Sequence, residues 1–194
     1  QRALKLRAGQ GVSLVSQASV VRNTTDVKNA IDTVMAQKPD AVVVISAYQT
    51  VAALVKGAQD QGYAGQFYNV SFVGTKALAN ELGKAGGGVI ISQVMPYPYS
   101  GASPLVRDYQ KLLKSEGITD FDYGSIEGYV AARVFVEGLK RAGRDLTREK
   151  FVSALESMGN YDVGGFNVNF SPTNHVGSKF VEMTIINSNG QVIR

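Results

Sequence analysis

Two polar turns stand where a predicted strand gives way to a predicted helix, and their residue types suit ligand binding. Hydroxyl groups, backbone N–H groups at helix starts and an aromatic wall are the usual parts of a small-molecule site. A further aromatic group lies in a proline-rich segment later in the chain. The candidate binding residues are Ser46, Ala47, Tyr48 and Gln49 in the first turn, Ser71 and Phe72 in the second, and Tyr97 in the proline-rich segment.

Residue types that catalyse reactions are scarce in this sequence. The single histidine, His175, stands alone in a loop pattern, which is typical of a surface side chain rather than a general base. The absence of cysteine excludes thiol catalysis, disulfide bonds and zinc–thiolate sites. We therefore predict a binding protein with no catalytic residue. A doubly wound enzyme remains an alternative that turnover of a small metabolite would reveal.

No metal or phosphate site is predicted either. Asp120 and Asp122 are too few for a cation site and are better placed to cap the helix that follows them. Gly83 and Lys84 lack the preceding glycine and the following hydroxyl residue of a phosphate-binding loop. The triple glycine 86–88 leads into a strand, so it does not direct a helix start at a phosphate. We expect no cofactor.

Composition and charge bound the class of protein. The 194 residues are 44% apolar and 19% charged, which is ordinary for a globular protein. The 20 Lys and Arg residues are scattered rather than clustered, so the formal charge of +4 does not predict nucleic-acid binding. Residues 1–7 have no apolar core of a signal peptide and look like the middle of a helix. We expect a fragment or a processed product.

The first ninety residues alternate between strand and helix patterns with short connections. Val42–Ile45 is apolar at four consecutive positions, which is typical of a strand buried on both faces. We predict a central parallel strand over residues 41–46 and, from the alternation, a doubly wound parallel sheet of the α/β class. The other predicted elements are an opening helix ending near Gly9, strands over 12–21, 66–70 and 89–94, and helices carrying Val27–Met35, Val51–Ala58 and Leu78–Leu82.

The pattern changes after residue 94. Residues 95–101 hold two prolines and two tyrosines, which predicts a stiff segment that crosses between domains. Three helices follow without an intervening strand, starting near Ser103, Ser125 and Thr147, and the sequence offers no sheet for them to cover. The tail is predicted to be β structure, with strands over 166–170, 179–186 and 191–194 and a hairpin turn at Asn189 and Gly190.

The order of these features resembles the periplasmic solute-binding proteins of type I fold that serve branched-chain amino acid ABC transporters. The resemblance covers all 194 residues but only about the C-terminal half of a family member. The matching stretches are Thr25-Asp26, Lys38 to Val44, Gly62 with Gln66-Phe67, Gly88-Val89, Pro96, Ser125 to Arg133, Ala154-Leu155 and Gly164 to Phe166.

The resemblance implies two α/β lobes joined by three crossings, with the ligand clamped in the cleft between them. Residues 1–94 and 173–194 would form the second lobe, and 100–160 would be helices of an incomplete first lobe whose sheet lies upstream. Residues 95–99, with Tyr97, and about 160–172 would be crossing segments. The exposed helix faces of such a piece predict self-association.

The resemblance also implies roles for the two turns. Ser46, Ala47 and Tyr48 match a turn whose tyrosine contacts the ligand. Ser71 matches a position where amino acid binders place an acid against the ligand's ammonium group, and a buried ammonium without an anion is costly. A carboxylate or an aromatic acid therefore becomes plausible as the ligand.

From this resemblance we predict a solute receptor of an ABC import system. It would bind an amino acid-like compound or a small organic acid, contact a membrane permease and function in the periplasm. The alternative is a ligand-sensing effector domain of a regulator or receptor with the same fold.

Overall fold

The computed structural model describes residues 11–194, and the predicted opening helix lies outside them. The chain divides into two compact units: unit 1 is Gln1–Ser92 with Met183–Arg194, and unit 2 is Gln93–Glu182. No helix in the described part of the chain combines the length and the apolar character that a membrane crossing requires.

The described residues form six α-helices and seven strands. The helices are α1 (Lys28–Met35), α2 (Tyr48–Asp60), α3 (Thr75–Leu82), α4 (Pro104–Ser115), α5 (Tyr123–Ala142) and α6 (Arg148–Glu156). The strands are β1 (Ala41–Val43), β2 (Gln66–Val70), β3 (Ile90–Gln93), β4 (Gly159–Asp162), β5 (Asn167–Phe170), β6 (Glu182–Ile186) and β7 (Val192–Ile193).

Unit 1 contains a five-stranded sheet in the order β1-β2-β3-β6-β7. β1, β2 and β3 are parallel, with Ala41 opposite Gln66 and Tyr68 opposite Ile90. β6 and β7 form an antiparallel hairpin, as the Asn-Gly turn predicted. The parallel strands with their connecting helices confirm the α/β fold class, because such strands can be joined only through crossover connections.

One face of this sheet is covered by helices that present apolar residues at helical spacing. Val51, Val55 and Leu78 are fully buried or nearly so, and they pack in one cluster with Phe67 of β2 and Ile91 of β3. Each such aliphatic side chain contributes roughly 1.5–3 kcal/mol when it leaves water. This cluster fixes how the β1–α2 and β2–α3 turns are placed.

The prediction that the Val42–Ile45 strand is central and covered on both faces is wrong for the described residues. β1 is an edge strand of three residues that pairs only with β2. Val42 and Val44 are buried, whereas Val43 is 65% and Ile45 is 69% exposed. A run of β-branched residues looks the same whether one face or both are covered, so the sequence pattern could not distinguish the two cases.

The predicted strand over residues 12–21 is also absent from the structure. This segment has no strand assignment, and Val12, Leu14 and Val21 are exposed. Ser16 nevertheless donates a hydrogen bond of 3.2 Å from Oγ to the carbonyl oxygen of Thr33. Strand propensity does not by itself supply a partner strand, and no described strand pairs with this segment.

Unit 2 contains the three predicted helices and a two-stranded antiparallel sheet of β4 and β5. Each helix has a side-chain N-cap: Ser103 accepts from Val106 N–H at 3.3 Å, Asp122 from Ser125 N–H at 2.9 Å, and Thr147 from Lys150 N–H at 3.2 Å. The cap that the sequence predicted at Asp122 is therefore present. β4 was not predicted, because Gly159–Asp162 is polar and contains no alternating apolar pattern.

Candidate functional site

The carboxyl ends of β1 and β2 lie side by side, because the two strands are parallel neighbours. We call this region, where the parallel strands end, the carboxyl edge of the unit 1 sheet. Ligands of open α/β sheets bind at this edge. The structure brings six of the seven candidate residues to it, and these are Ser46, Ala47, Tyr48 and Gln49 after β1 and Ser71 and Phe72 after β2.

The strand β1 ends earlier and the helix α2 begins earlier than the sequence pattern suggested. Ala47 has an extended backbone and is the N-cap of α2, so Tyr48 and Gln49 belong to the first helical turn. The carbonyl oxygen of Ala47 accepts the first intrahelical bond from Val51 N–H at 3.1 Å. Tyr48 is half-buried against the unit 1 core, whereas Gln49 is exposed.

Two threonines that the sequence reasoning did not select brace this connection. The buried hydroxyl of Thr50, in the first turn of α2, donates a 2.7 Å hydrogen bond to the carbonyl oxygen of Thr24. This bond joins the start of α2 to the loop that precedes α1. A threonine in the first turn of a predicted helix is the only sequence signal for such a brace, and it is a weak signal.

The β2–α3 connection is a single 3-10 turn over Ser71–Val73 followed by Gly74. Gly74 has φ +78° and ψ +71°, a left-handed conformation that glycine adopts without strain, and it ends the turn so that α3 begins at Thr75. Ser71 is half-buried, and Phe72 is 60% exposed. The aromatic side chain that was predicted as a wall is therefore accessible.

Asn69 is a buried polar residue on β2 that sequence reasoning missed. Its Oδ1 accepts the Val70 N–H at 2.7 Å, which holds the amide at the carboxyl end of the strand. Its Nδ2 donor has no hydrogen-bond partner among the described residues, and the residue is only 3% exposed. An unused buried donor costs about 1–3 kcal/mol. An asparagine between apolar residues such as Phe67 and Val70 was the available signal.

The two segments that form this edge contain one charged residue, a lysine. Segments 44–51 and 69–77 contain no Asp or Glu, and Lys76 is the second residue of α3. The loop that Thr50 contacts carries Arg22 and Asp26, both of them exposed.

Tyr97, the seventh candidate, belongs to unit 2 and is one of three tyrosines whose rings pack in series. Its ring centroid lies 5.0 Å from that of Tyr99, which lies 6.4 Å from that of Tyr123. Tyr123 is buried and donates a 3.3 Å hydrogen bond from its hydroxyl to Oε1 of Glu182. Burial, and then the charge of Asp122, raise the pKa of Tyr99 to about 12. Burial and Glu182 raise the pKa of Tyr123 further.

His175 is an exposed residue of unit 2. Its Nε2 lies 3.0 Å from Oε1 of Glu156, and two thirds of the side chain is accessible. Within residues 11–194 no group of three or more His, Cys, Asp or Glu side chains is arranged to hold a metal ion.

A cavity of about 330 Å³ lies at the other end of the parallel strands, beside the amino ends of β2 and β3. The hydroxyl of Tyr63 is buried there without a hydrogen-bond partner among the described residues. The cavity is lined by Gln59, Tyr63 to Phe67 and Gly87 to Val89. None of the predicted binding residues belongs to it.

The comparisons with known proteins agree with the fold. A family model described as periplasmic binding protein matches residues 3–191. A possible leucine/isoleucine/valine-binding protein from Rhodopirellula baltica SH 1 is 28% identical with a TM-score of 0.86, covering 97% of this chain and 53% of that chain. A substrate-binding periplasmic protein from Ralstonia solanacearum is 30% identical with a TM-score of 0.85, covering 99% of this chain and 55% of that chain.

A branched-chain amino acid ABC transporter from Thermus thermophilus with bound valine shares the fold at 18% identity, with a TM-score of 0.78, covering 97% of this chain and 53% of that chain. No curated protein sequence matches the chain. The chain spans about half the length of these solved structures. The chain belongs to the periplasmic binding protein family, and the resemblance to its branched-chain amino acid transport members is confirmed.

Proposed function

We propose that this chain is part of a solute receptor of an ABC import system and that unit 1 supplies one wall of the solute site. The observation that carries this proposal is the convergence of hydroxyl, amide and aromatic residues at the carboxyl edge of β1 and β2. In a family of binding proteins, this edge is the natural ligand position for an open parallel sheet. The solute would be an amino acid-like compound or a small organic acid.

Each candidate residue would have its own role in binding the solute. Ser46 and Ser71 would offer hydroxyl groups at the two turns, and Tyr48 would contact the solute from the first turn of α2. Phe72 would cover an apolar part of the solute, because its side chain is accessible beside Ser71. Tyr97 would act from a crossing segment between lobes. The chain would bind its solute without changing it.

The helices of unit 2 fit the proposed role of first-lobe elements. Several of their apolar side chains are exposed, as expected for helices that cover a sheet formed by other sequence. The exposed apolar residues of this group are Leu112, Phe135, Val136 and Val152. Residues 95–99 and about 160–172 would be the crossing segments, and residues 173–194 would return the chain to the second lobe.

The partners and location follow from the same proposal. A receptor of this kind hands its solute to a membrane permease and works in the periplasm, and names such as "substrate-binding periplasmic protein" among the similar structures support that setting. The exposed apolar surfaces also make self-association of the isolated chain an expected property.

A thermal-shift screen of the full-length gene product against amino acids, organic acids, sugars and amines tests the proposal. A binding solute should raise the melting temperature, and calorimetry should then give its affinity. Tyr48→Ala and Ser71→Ala should weaken binding at least tenfold, whereas Ser188→Ala, in the exposed β6–β7 turn, should leave it unchanged. Conversion of a solute to product, or the absence of any binding solute, would contradict the proposal.

A further inference from the structure

We propose that the cavity of about 330 Å³ at the amino ends of β2 and β3, which we call the Tyr63 cavity, is a second binding site of unit 1 and takes a small organic ammonium ion. The cavity lies at the other end of the strands from the carboxyl edge, and its lining does not include any of the candidate solute residues. The proposal therefore does not depend on the proposed solute receptor.

The Tyr63 cavity lies at the point where β2 and β3 come together. β2 pairs with β1 from Gln66 onward, whereas its register with β3 begins at Tyr68, opposite Ile90. The chain just before these positions, 66–67 and 87–89, lines the cavity from both strands. Its volume is near the lower limit of small-molecule sites, which is about 300 Å³, so it suits a molecule of few non-hydrogen atoms.

Two glutamine side chains in the lining offer acceptors rather than donors. Gln59 Nε2 donates to the carbonyl oxygen of Ala85 at 3.0 Å, and Gln66 Nε2 donates to the carbonyl oxygens of Phe67, at 3.0 Å, and Gly88. Because a carbonyl oxygen can only accept, these contacts fix which amide atom is the nitrogen. Neither Oε1 atom accepts a hydrogen bond from another described residue. A ligand with N–H donors would use these acceptors.

The end of α2 favours a positive ligand. α2 ends at Asp60, with Gln61 as its C-cap, and its last turn contains no basic residue. The last carbonyl groups of a helix carry a partial negative charge that stabilises a cation. Gln59 belongs to this last turn and lines the Tyr63 cavity, so the cavity adjoins the negative end of the helix.

The charged side chains near the cavity agree with this sign. No Lys, Arg, Asp or Glu is among the residues that line it. Burial, and then the charge of Asp40, raise the pKa of Tyr63, so a carboxylate acts on this part of the wall. Lys84, which precedes the glycines of the wall, is exposed. A cation in the cavity therefore meets no positive side chain in the wall and has the negative charge of Asp40 nearby.

Tyr63 and Phe67 give the wall an aromatic corner. Their ring centroids lie 5.1 Å apart and the ring planes are inclined by 75°. The hydroxyl of Tyr63 is buried against Gly65, where an added Cβ would overlap it, so the ring and not the hydroxyl is the expected ligand contact. Aromatic rings attract ammonium ions and also pack against alkyl groups. Amide oxygens beside aromatic rings thus suit an organic ammonium ion better than a carboxylate.

An NMR titration of the full-length gene product with three compounds of similar size and different charge tests the site. The probes are propylammonium, 1-propanol and propanoate, and we expect propylammonium to bind at least tenfold more tightly than the other two. It should shift the backbone amide signals of Gln59, Tyr63 and Gly88. Binding that is equal for propanoate, or signals that shift only elsewhere in the protein, would overturn the proposal.

Opposite charges at one exposed position test the sign directly. Gln59→Glu should strengthen propylammonium binding at least threefold, and Gln59→Lys should weaken it at least tenfold, because Gln59 is an exposed residue of the lining. Gln37→Glu and Gln37→Lys are the matched controls at an exposed position outside the lining, and both should stay within twofold of the wild type. Circular dichroism of each variant checks the fold. Equal effects at the two positions would contradict a site in this cavity.

The outcomes are distinguishable from those of the solute screen. Ser71→Ala and Tyr48→Ala, at the carboxyl edge, should leave propylammonium binding unchanged, and its loss in these variants would place the ammonium ion at the carboxyl edge and overturn the second site. A protein that binds a solute at the carboxyl edge but no propylammonium would overturn only the Tyr63 cavity. A protein that binds propylammonium in the cavity but no solute would overturn only the solute receptor.

Discussion

The Thr50 hydroxyl donates a 2.7 Å hydrogen bond to the carbonyl oxygen of Thr24, and this bond connects the first turn of α2 to the loop before α1. The donor is buried, since Thr50 is 2% exposed. The bond therefore fixes the start of the helix that carries Tyr48 and Gln49. This hydrogen bond therefore affects the geometry of the candidate site, although neither threonine is a candidate binding residue.

Thr50→Val should destabilise the protein by about 1–3 kcal/mol, because it leaves the Thr24 carbonyl without its donor while keeping the side-chain shape. Urea denaturation measures the change. Thr33→Val is the matched control: its hydroxyl bonds to Asn29 in the same helix at an exposed position, and its loss should cost less than about 0.5 kcal/mol. Equal losses in both variants would show that the Thr24 bond has no special weight.

Gly164→Ala should be among the most damaging single-methyl substitutions in unit 2. Gly164 has φ +80°, and an added Cβ would lie 2.7 Å from the backbone nitrogen of Leu105, which donates to the Gly164 carbonyl oxygen at 2.9 Å. The strained backbone and the clash together should cost about 3 kcal/mol or more.

Gly159→Ala is the control for this substitution, because Gly159 also has a positive φ, +64°, but has open space around its Cα. It should cost only about 1 kcal/mol, the backbone part of the penalty. Guanidinium denaturation of both variants gives the difference. A Gly164→Ala variant as stable as Gly159→Ala would mean that the α4 start moves easily.

Unit 2 should lose stability as the pH rises from about 10 to about 12. The pKa of Tyr99 is raised to about 12 by burial and by Asp122, whereas an unfolded tyrosine ionises near 10. Since the folded state holds this proton more tightly, the stabilisation is complete below pH 10 and disappears as pH rises through the folded pKa. Chemical denaturation at pH 9, 10 and 11 measures the decline.

Tyr99→Phe should make this decline less steep, because phenylalanine has no proton to lose. The phenolate absorbance of the folded wild type should also show fewer tyrosines ionised at pH 11 than the unfolded protein does. An identical decline in the wild type and in Tyr99→Phe would show that the raised pKa of this residue does not control alkaline stability.

Val42 and Val43 should respond differently to the same substitution. Val42→Thr buries a hydroxyl in the unit 1 core and should cost about 1–3 kcal/mol. Val43→Thr, at a position that is 65% exposed, should change stability by less than about 0.5 kcal/mol and should reduce self-association in light scattering. Similar losses at both positions would indicate that the second face of β1 is also covered in solution.

Features that depend on neighbouring residues in the sequence were predicted well. Asp122 and Thr147 start their helices through bonds to a backbone N–H three residues later, and the β6–β7 turn follows from Asn189 and Gly190. These are short-range effects of capping and turn chemistry. The place of a strand in the sheet is not short-range, and for that reason the position of β1 at the edge was missed.

The candidate site also contains features that the sequence could predict and features that it could not. The turn containing Ser46 and the turn containing Ser71 could be found, because each follows an apolar strand pattern and precedes a helix pattern. Asn69 and Thr50 could not be identified, since their importance comes from burial and from partners such as Thr24 that no spacing rule reveals. Burial of a polar side chain is a property of the assembled fold.

The pairing of β3 with β6 joins parts of the chain that are far apart. Thr184 donates from Oγ1 to the carbonyl oxygen of Ile91 at 3.2 Å across a separation of 93 residues. During synthesis, β1, β2 and β3 therefore leave the ribosome long before the strand that completes their sheet, while every residue of unit 2 is made in between. The sheet of unit 1 can therefore be completed only after the segment between β3 and β6 has been synthesised.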